Sequence, residues 1–255
     1  MAELETLIPD IHKLLNRLNN DEDINAELAP HLPSFIAGVG EAVEHWATPQ
    51  IREKGSLRMS NIGRPLRRLW YDLNLSEAHQ EKIDPPTFIK FLYGHLLEVL
   101  LLFFVRLSGH VVSGEQKEIS VQGVKGHIDA IIDGEVIDVK TASGYAFKKF
   151  KEGTLAQNDS FGYLSQLAGY EEAEQTSKGG FLVMNKETGE LTTFIPDDLD
   201  KPNIKIYNED GNEIKIDDLK SNESVATILE IQGIKCSARS FQLEFAVKQL
   251  LSINP

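Results

Sequence analysis

The stretch Gly126–Lys140 constrains the fold more than any other, because it combines a turn signal with paired charges in apolar surroundings. Asp133-Gly134 is typical of a two-residue type I′ turn, so the flanking residues are predicted to pair as a β-hairpin. In that register Asp129 faces Asp138. Two facing carboxylates repel each other, and an unpaired charge among Ile, Val and Ala is costly. The sequence therefore requires a compensating cation.

Two cations are candidates. Asp138 precedes Lys140 by two residues, so both side chains project from the same strand face. The Lys140 ammonium group can therefore pair with the carboxylates. The alternative is a bound divalent ion, for which oxygen ligands favour Mg²⁺ or Mn²⁺ over zinc. A plainer interpretation is an ordinary cross-strand ion pair on a solvated face. Apolar residues on both strand faces favour a sheet that is covered on both sides.

A second candidate lies in an apolar helix predicted from Pro85 or Pro86 to Leu107, with Ser108-Gly109 as its C-cap signal. Glu98 lies in this helix among Phe, Leu and Val. His95 is three residues earlier and shares its face. Glu98 is either a buried functional carboxylate or a helix-surface charge, and His95 is either a ligand or a hydrogen-bonded core histidine.

A third candidate is the pair Gln166 and Tyr170, on a helix predicted from about Ser160 to Glu174. Residues four apart share a helix face, so the amide and the phenol are suited to holding a phosphate or a catalytic side chain. This spacing is common by chance and is weak evidence alone.

Hydrophobic periodicity and turn signals predict the remaining elements, and the class is α/β (α+β). Before the apolar helix we expect further helices, and after it three strands from Val111 to Thr141, a loop, the Gln166 helix and a hairpin. The polar, acidic chain after Pro196 is expected to hold one more hairpin and a final amphipathic helix. The predicted ranges are helices 4–18, 33–46, 60–73 and 240–251, and hairpins 181–195 and around 208–212.

In this order the candidates resemble the PD-(D/E)XK nuclease superfamily, within it the RecB-type branch of phage-encoded exonucleases and CRISPR-adaptation nucleases. The upstream stretch Ser60–Tyr71 also resembles the S-x-(I/L)-x-x-C-x-R-x-x-W/Y helix of these nucleases. The resemblance covers about residues 60–196. Its four motifs are the helix carboxylate Glu98 in GHLLE, Asp129 in GHID, Asp138 with Lys140 in IDVK, and Gln166 with Tyr170 as Q-x-x-x-Y.

The chain departs from the family pattern at three points. Ile128 replaces the proline of the PD motif, which is common in this branch. The iron-sulfur cysteines of some relatives are absent and Cys236 stands alone, so we expect no iron-sulfur cluster. Histidine ligands of relatives commonly lie farther ahead of the helix glutamate than His95 does, so the resemblance does not establish His95 as a metal ligand.

The resemblance implies a restriction-endonuclease-like αβββαβ core over residues 59–196, with a mixed central sheet flanked by helices. Outside the resemblance, we expect an added helical region at residues 1–58 and an acidic extension at 197–255 whose C-terminal helix packs on the core. The implied ligands of one or two Mg²⁺ or Mn²⁺ ions are Glu98, Asp129, Asp138 and the Val139 backbone carbonyl. Lys140 would orient the nucleophile or offset charge on the phosphate, while Gln166 and Tyr170 would brace the site and touch the DNA backbone.

The implied activity is a metal-dependent DNA exonuclease of phage-type recombination, replication or DNA degradation, acting on linear duplex or single-stranded ends. A structure- or site-specific endonuclease on the same fold is the alternative within enzymes. A non-catalytic DNA- or partner-binding module is the alternative from another class. A homo-oligomer, or a recombination or replication protein as partner, is compatible with each of these.

The net charge of −13, from 26 basic and 39 acidic residues, first argues against a nucleic-acid partner. However, residues 1–44 and 186–230 each carry −7, so the rest of the chain is near neutral. Two basic clusters lie in this remainder, one within residues 51–70 and one on the loop predicted after the Asp138 strand. They are either solvated charges or a DNA surface; the candidate DNA-binding residues are Arg58, Ser60, Arg64, Arg67, Arg68, Tyr145, Lys148, Lys149 and Lys151.

A cytoplasmic location is predicted from three features. The single cysteine cannot form an internal disulfide, and the N-terminus is acidic where a signal peptide is basic. The longest apolar run, Val99–Val105, has seven residues, whereas a membrane helix needs about 20. We therefore expect a bacterial cytoplasm, including that of a phage-infected host, and no membrane partner.

Overall fold

The computed structural model describes residues 4–48, 57–74, 83–121, 123–176, 178–196 and 199, and the strand backbones 205–207, 213–214, 224–236 and 241–253. Its contacts divide the chain into two units. One comprises Met1–Ile119 with Lys125–Leu199, and the other Ser120–Val124 with Asp200–Pro255. The candidate site residues all lie in the first unit.

The first unit begins with helices, as the periodicity predicts, and two further helices lie between strands β5 (Glu135–Ala142) and β6 (Gly180–Asn185) of its sheet. Pro33 occupies the first turn of α3 and Pro85 that of α5, where the missing N–H costs no hydrogen bond. The helices are α1 (Leu7–Asn19), α2 (Asn25–Leu28), α3 (Leu32–Ala47), α4 (Leu66–Asn74), α5 (Pro85–Leu107), α6 (Gly144–Lys151) and α7 (Tyr163–Glu174).

The central sheet of this unit is mixed and has the order β1-β4-β5-β6-β7. Only the β5–β6 pair is parallel among its four pairings. A separate pair, β2 (Lys117–Val121) and β3 (Val124–Ile128), precedes β4. The sheet strands are β1 (Val112–Ser113), β4 (Ala130–Ile132), β5 (Glu135–Ala142), β6 (Gly180–Asn185) and β7 (Leu191–Phe194).

The predicted hairpin around Asp133-Gly134 is confirmed. Ile132 pairs with Glu135 and Ala130 with Ile137, which is the predicted register. Asp133 has φ 53° and Gly134 φ 95°, so both turn residues are left-handed as a type I′ turn requires.

Two predictions about the flanks of this core are corrected. The helix expected from Ser60 begins only at Leu66, because Pro65 disfavours helical backbone in the residue before it. The loop expected after β5 is helix α6, Gly144–Lys151, which begins after Ser143 in extended conformation. A helix forms there because Phe147 and Phe150 are buried while the lysines face outward.

The core lies where α1 and the second half of α5 pack on the sheet. Leu101, Leu102 and Val105 on α5 are 0–3% exposed, and the fully buried Leu7 and Ile11 on α1 belong to the same cluster. The sheet contributes Ala130, Ile132, Ile137, Val139 and Leu182 to this cluster. Glu98 stands one turn before these buried residues, so the core fixes its distance from β5.

Helix α5 is long and apolar enough to cross a membrane by length and composition alone, since it has 23 residues and a mean hydropathy of 1.9 over its most apolar stretch. The seven-residue apolar run Val99–Val105 therefore understates the apolar length of this helix. Only 22% of that stretch is buried, and the buried residues lie in its C-terminal half. That half is the core helix of the first unit.

The second unit contains a β-sheet in the order β10-β11-β8-β9. Strands β8 (Lys205–Tyr207) and β9 (Glu213–Ile214) are antiparallel, which confirms the hairpin predicted around residues 208–212. The predicted C-terminal helix is wrong: Phe241–Ile253 is strand β11, antiparallel to β10 (Ser224–Cys236). Phe241, Leu243, Phe245 and Val247 alternate with polar or small residues, and this period of two favours a strand.

Candidate active site

The turn before α4 joins the central strands to α7 through the buried side chain of Met59, which is 2% exposed. Gly126 on β3 and Gly169 on α7 leave room for it, since a Cβ at either position would lie within 2.7 Å of Met59 atoms. The Met59 N–H also donates to the Lys125 carbonyl at 2.9 Å. These contacts hold the arginine-bearing segment from Arg58 to Arg68 next to β3, which leads to Asp129. They also hold it next to α7, which carries Tyr170.

Strand β5 carries the most buried acid of the site. Asp138 is 1% exposed, and its Oδ2 lies 2.5 Å from Nζ of Lys140, as expected for residues two apart on one strand face. Both oxygens of Asp138 are buried and lack a well-oriented hydrogen-bond donor in the described part of the chain. The lysine therefore compensates the charge of this carboxylate as an ion pair at Oδ2 and leaves its hydrogen-bonding capacity unused.

Asp129 lies at the bend between β3 and β4, beside the end of the hairpin register. Its Oδ2 accepts a hydrogen bond of 2.7 Å from the Val139 N–H on β5. This bond crosses the hairpin and directs the Asp129 carboxylate to the stretch between Asp138 and Lys140. The Val139 side chain itself is buried in the core.

Glu98 approaches these residues from α5. Its Oε1 accepts a hydrogen bond of 2.6 Å from Nε2 of Gln116, in the turn before β2. Gln116 has φ 50°, and its N–H lies 3.3 Å from the Asp129 carbonyl. One glutamine thus connects the helix carboxylate to the Asp129 bend.

The pKa values of all three carboxyls are raised, mainly by burial. Burial raises the pKa of Glu98 to about 7, and Asp138 adds to the increase against the Gln116 hydrogen bond. Burial, Asp138 and Glu98 raise the pKa of Asp129 well above its usual value. Burial raises the pKa of Asp138 against the opposing effect of Lys140. The site therefore disfavours the ionised form of each of its three carboxyl groups, with Lys140 as the compensating cation.

Lys140 stays protonated in this environment. Burial alone would lower its pKa, but Asp138 and Asp129 outweigh burial and raise it. Its Nζ also lies 5.0 Å from the centroid of the Tyr163 ring, a cation–π contact.

Gln166 and Tyr170 form one buried pair on α7. Nε2 of Gln166 donates to the Tyr170 hydroxyl at 2.6 Å, and the two residues are 8% and 2% exposed. Burial raises the pKa of Tyr170, with Asp138 adding to the effect. The phenol is thus close enough to the acids to sense their charge and remains protonated.

His95 faces a different neighbour. Its ring packs edge to face against His45 of α3, with the centroids 5.2 Å apart. Burial and the charge of His45 lower its pKa. The structure therefore gives His95 a partner on α3, and its role as a ligand stays a prediction.

The predicted DNA-binding residues lie in two places. Around α4, Ser60, Arg58, Arg67 and Arg68 are exposed while Arg64 is partly buried, and Arg67 lies 5.8 Å from the Tyr71 ring centroid. Trp70, 59% exposed, lies in the same helix.

The second set lies on α6, where Tyr145 is 74% exposed. Lys149 contacts the Tyr145 ring at 5.1 Å and donates to the Asn158 carbonyl at 3.1 Å. Lys148 is 3.6 Å from Glu152, and Lys151 is 2.5 Å from Glu190. Two of the three lysines are therefore partly neutralised by surface acids.

Sequence reasoning missed Gln116 and Tyr163. Tyr163, Gln166 and Tyr170 are spaced i, i+3 and i+7, so helical periodicity was a signal for Tyr163. Gln116 had no comparable signal, because its contact depends on how the turn after β1 folds back onto α5.

The donors suit a hard divalent cation. Among the described residues no three acidic, histidine or cysteine side chains already surround a common point. Nevertheless burial raises the pKa values of all three acids, and the Asp138 carboxylate is buried without a well-oriented hydrogen-bond donor. Carboxylate oxygens are the ligands that Mg²⁺ and Mn²⁺ prefer, so the residues present fit such an ion.

Comparisons with known proteins add little to this geometry. No protein family model and no curated protein matches the chain. A solved structure described as "Crystal structure of SSO0001" has 18% sequence identity and a TM-score of 0.35, over 63% of this chain and 77% of that one. A TM-score this low supports no functional argument.

Proposed function

We propose that the protein is a metal-dependent deoxyribonuclease of the PD-(D/E)XK type, acting as an exonuclease, with a restriction-endonuclease-like core in the first unit. The observation that carries the proposal is the convergence of Glu98, Asp129 and Asp138 on one partly buried lysine. Their chain order, helix acid, strand acid, acid-x-lysine, is also that of the family motifs.

Each residue has a chemical task in this proposal. Glu98, Asp129, Asp138 and the Val139 carbonyl would hold Mg²⁺ or Mn²⁺, which when bound polarises the scissile phosphate and lowers the pKa of water. Lys140, protonated and beside Asp138, orients the attacking water or offsets negative charge developing on the phosphate. Tyr170 and Gln166 hold α7 against these strands, and their buried hydrogen bond keeps the phenol in place.

Two parts of the chain are proposed to hold the DNA backbone: the segment from Arg58 to Arg68, and α6. Met59 fixes the first next to the strand leading to Asp129, and α6 directly follows the strand that carries Asp138 and Lys140. Basic groups beside aromatics at a metal site suit a single-stranded or frayed DNA end.

The test is hydrolysis of a fluorescently labelled linear duplex and of a single strand with Mg²⁺ or Mn²⁺. We expect cleavage by the parent protein and a loss of at least 100-fold in Asp138→Ala and Lys140→Ala. Glu118→Ala and Lys125→Ala are matched controls, because these side chains are 62% and 66% exposed on β2 and β3. Equal cleavage by all five proteins would place the active site elsewhere.

A covalently closed circular duplex separates the two modes of cleavage. An exonuclease needs an end and leaves the circle intact, whereas degradation of the circle would identify an endonuclease on the same site. DNA binding without hydrolysis of any substrate would favour the non-catalytic module.

A further inference from the structure

A pocket of about 220 Å³ lies beside Lys140, at the end of β5. Its wall consists of the residues that end β5, the face of α6 carrying Ala146 and Phe150, and the segment from Leu155 to Tyr163 that leads into α7. This volume is below the range of about 300–1,000 Å³ typical of drug-sized ligands. The pocket therefore fits a single small group, on the scale of one nucleobase or sugar.

The mouth of the pocket carries an available aromatic face. Phe161 is 60% exposed, and its ring stacks on Tyr163 with centroids 5.4 Å apart and an angle of 14° between planes. Tyr163 in turn contacts Lys140. Because Tyr163 supports one side of the ring, Phe161 is held as a rigid stacking surface a short distance from the catalytic lysine.

The charge of the pocket favours an anion. Lys140 and Lys149 line it, and Asp159 is the only acid among its described lining residues. Both Asp159 oxygens accept backbone hydrogen bonds, from the N–H groups of Gly162 at 2.9 Å and Leu164 at 2.8 Å. The Asp159 carboxylate is thus used in shaping the start of α7. Lys140 is already paired with Asp138, whereas Lys149 contacts the neutral Asn158 carbonyl. Lys149 is therefore the lining cation placed to meet a phosphate.

We propose that this pocket binds an unpaired nucleotide of a DNA strand end, with the base stacked on Phe161 and a phosphate against Lys149. The assignment rests on the proposed nuclease function and specifies the substrate of the same site. A base can stack on a side chain only after it leaves its own stack and pairing partner. The protein therefore prefers single-stranded or frayed ends to blunt duplex ends.

The test is the fluorescence of 2-aminopurine placed at the 5′ or the 3′ end of a ten-nucleotide single strand, titrated with the full-length protein in EDTA. Stacking quenches this base, so we expect the parent to quench one of the two probes. Phe161→Ala and Phe161→Leu should abolish the quenching and weaken binding about tenfold. Phe91→Ala is the control, since Phe91 on α5 is also exposed, at 49%, and lies outside the pocket.

A blunt duplex of the same sequence completes the experiment. We expect it to bind the parent more weakly and to be insensitive to Phe161. Unchanged quenching in both Phe161 variants, or an equal loss for duplex and single strand, would overturn the assignment.

Because EDTA removes the metal, this result is independent of hydrolysis. Loss of quenching in a protein that never cleaves DNA with Mg²⁺ would support the pocket and refute the nuclease. Cleavage by the parent with normal quenching by Phe161→Ala would refute the pocket and leave the nuclease.

Discussion

At the scale of single residues, one lysine is surrounded by three acids that burial leaves poorly solvated. Asp138 is the extreme case, because it is 1% exposed and its Oδ2 forms an ion pair with Lys140. A buried ion pair adds little net stability, whereas removing one partner leaves an uncompensated charge. The arrangement therefore contributes little net folding free energy, which is compatible with the proposed function.

Replacing Lys140 with Met should lower the free energy of unfolding of the metal-free protein by about 3 kcal/mol at pH 8, because Asp138 loses its cation. Urea denaturation in EDTA measures this. The double variant Asp138→Asn with Lys140→Met should recover part of the loss, and Lys125→Met, an exposed lysine on β3, should change little. A Lys140→Met variant as stable as the parent would show that the acids are not charged there.

The raised pKa of Glu98 predicts a pH dependence of stability. The folded carboxyl keeps its proton up to about pH 7, whereas its ordinary value is 4.5. The contribution of Glu98 to the free energy of unfolding is thus fully present below pH 4.5 and is lost as pH rises through 7. In EDTA, Tm should fall from pH 5 to 7, and Glu98→Gln should flatten that fall.

Asp129 and Asp138 have raised pKa values too and contribute with the same sign, so some slope should remain in Glu98→Gln. Glu118→Gln, at an exposed position, should reproduce the parent profile. A parent Tm that rises over this interval contradicts the assignment of Glu98 as a half-buried acid that retains its proton.

At the scale of elements, the site is assembled by close backbone packing as much as by side chains. A Cβ on Gly63 would lie 2.5 Å from the Gly162 Cα, and Gly162 has φ 76°. This contact joins the turn before α4 to the turn before α7. It therefore sets the distance between the arginine segment and the helix that carries Tyr163, Gln166 and Tyr170.

Gly63→Ala should destabilise the protein by more than 1 kcal/mol, because the added methyl meets backbone that cannot move aside. Gly40→Ala, in α3, is the matched control: a Cβ there meets no atom within 4 Å, so stability should rise by about 0.5–1 kcal/mol. Thermal and urea denaturation compare the two. A neutral Gly63→Ala would mean that the turns are not in contact.

At the scale of the whole molecule, charge is distributed unevenly along the chain. The acidic excess lies in residues 1–44 and 186–230, while the segment around α4 has an excess of arginine. We hypothesise that the acidic segments repel DNA and that the arginines around α4 attract it. Phosphate contacts of this kind make affinity fall steeply with salt.

The double reversal Arg67→Glu with Arg68→Glu should weaken DNA binding more than tenfold and lower the slope of log affinity against log salt by about 2. Fluorescence anisotropy between 50 and 200 mM salt in EDTA measures both. Lys13→Glu with Lys178→Glu changes the net charge equally at exposed positions on α1 and before β6, and should have a smaller effect. Equal effects of the two pairs would exclude a localised DNA surface around α4.

Local signals were sufficient for much of the fold. Asp133-Gly134 and its flanking apolar residues define the hairpin register, since a turn with two left-handed residues permits few alternatives. Pro85 and Ser108-Gly109 likewise mark both ends of α5. The C-terminal strand β11 was misassigned as a helix because short apolar stretches with mixed spacing are ambiguous until their pairing partner is known.

By itself, the sequence determined that Asp129 and Asp138 lie next to each other and that Lys140 shares the face of Asp138, because both follow from strand periodicity and one turn. Only the tertiary structure brought Glu98 to them through Gln116, placed Tyr163 beside Lys140, and packed Gly63 against Gly162. These contacts join residues that lie between about 13 and 99 positions apart in the chain. Whether such segments meet is decided by burial of the shared core, and no local pattern encodes it.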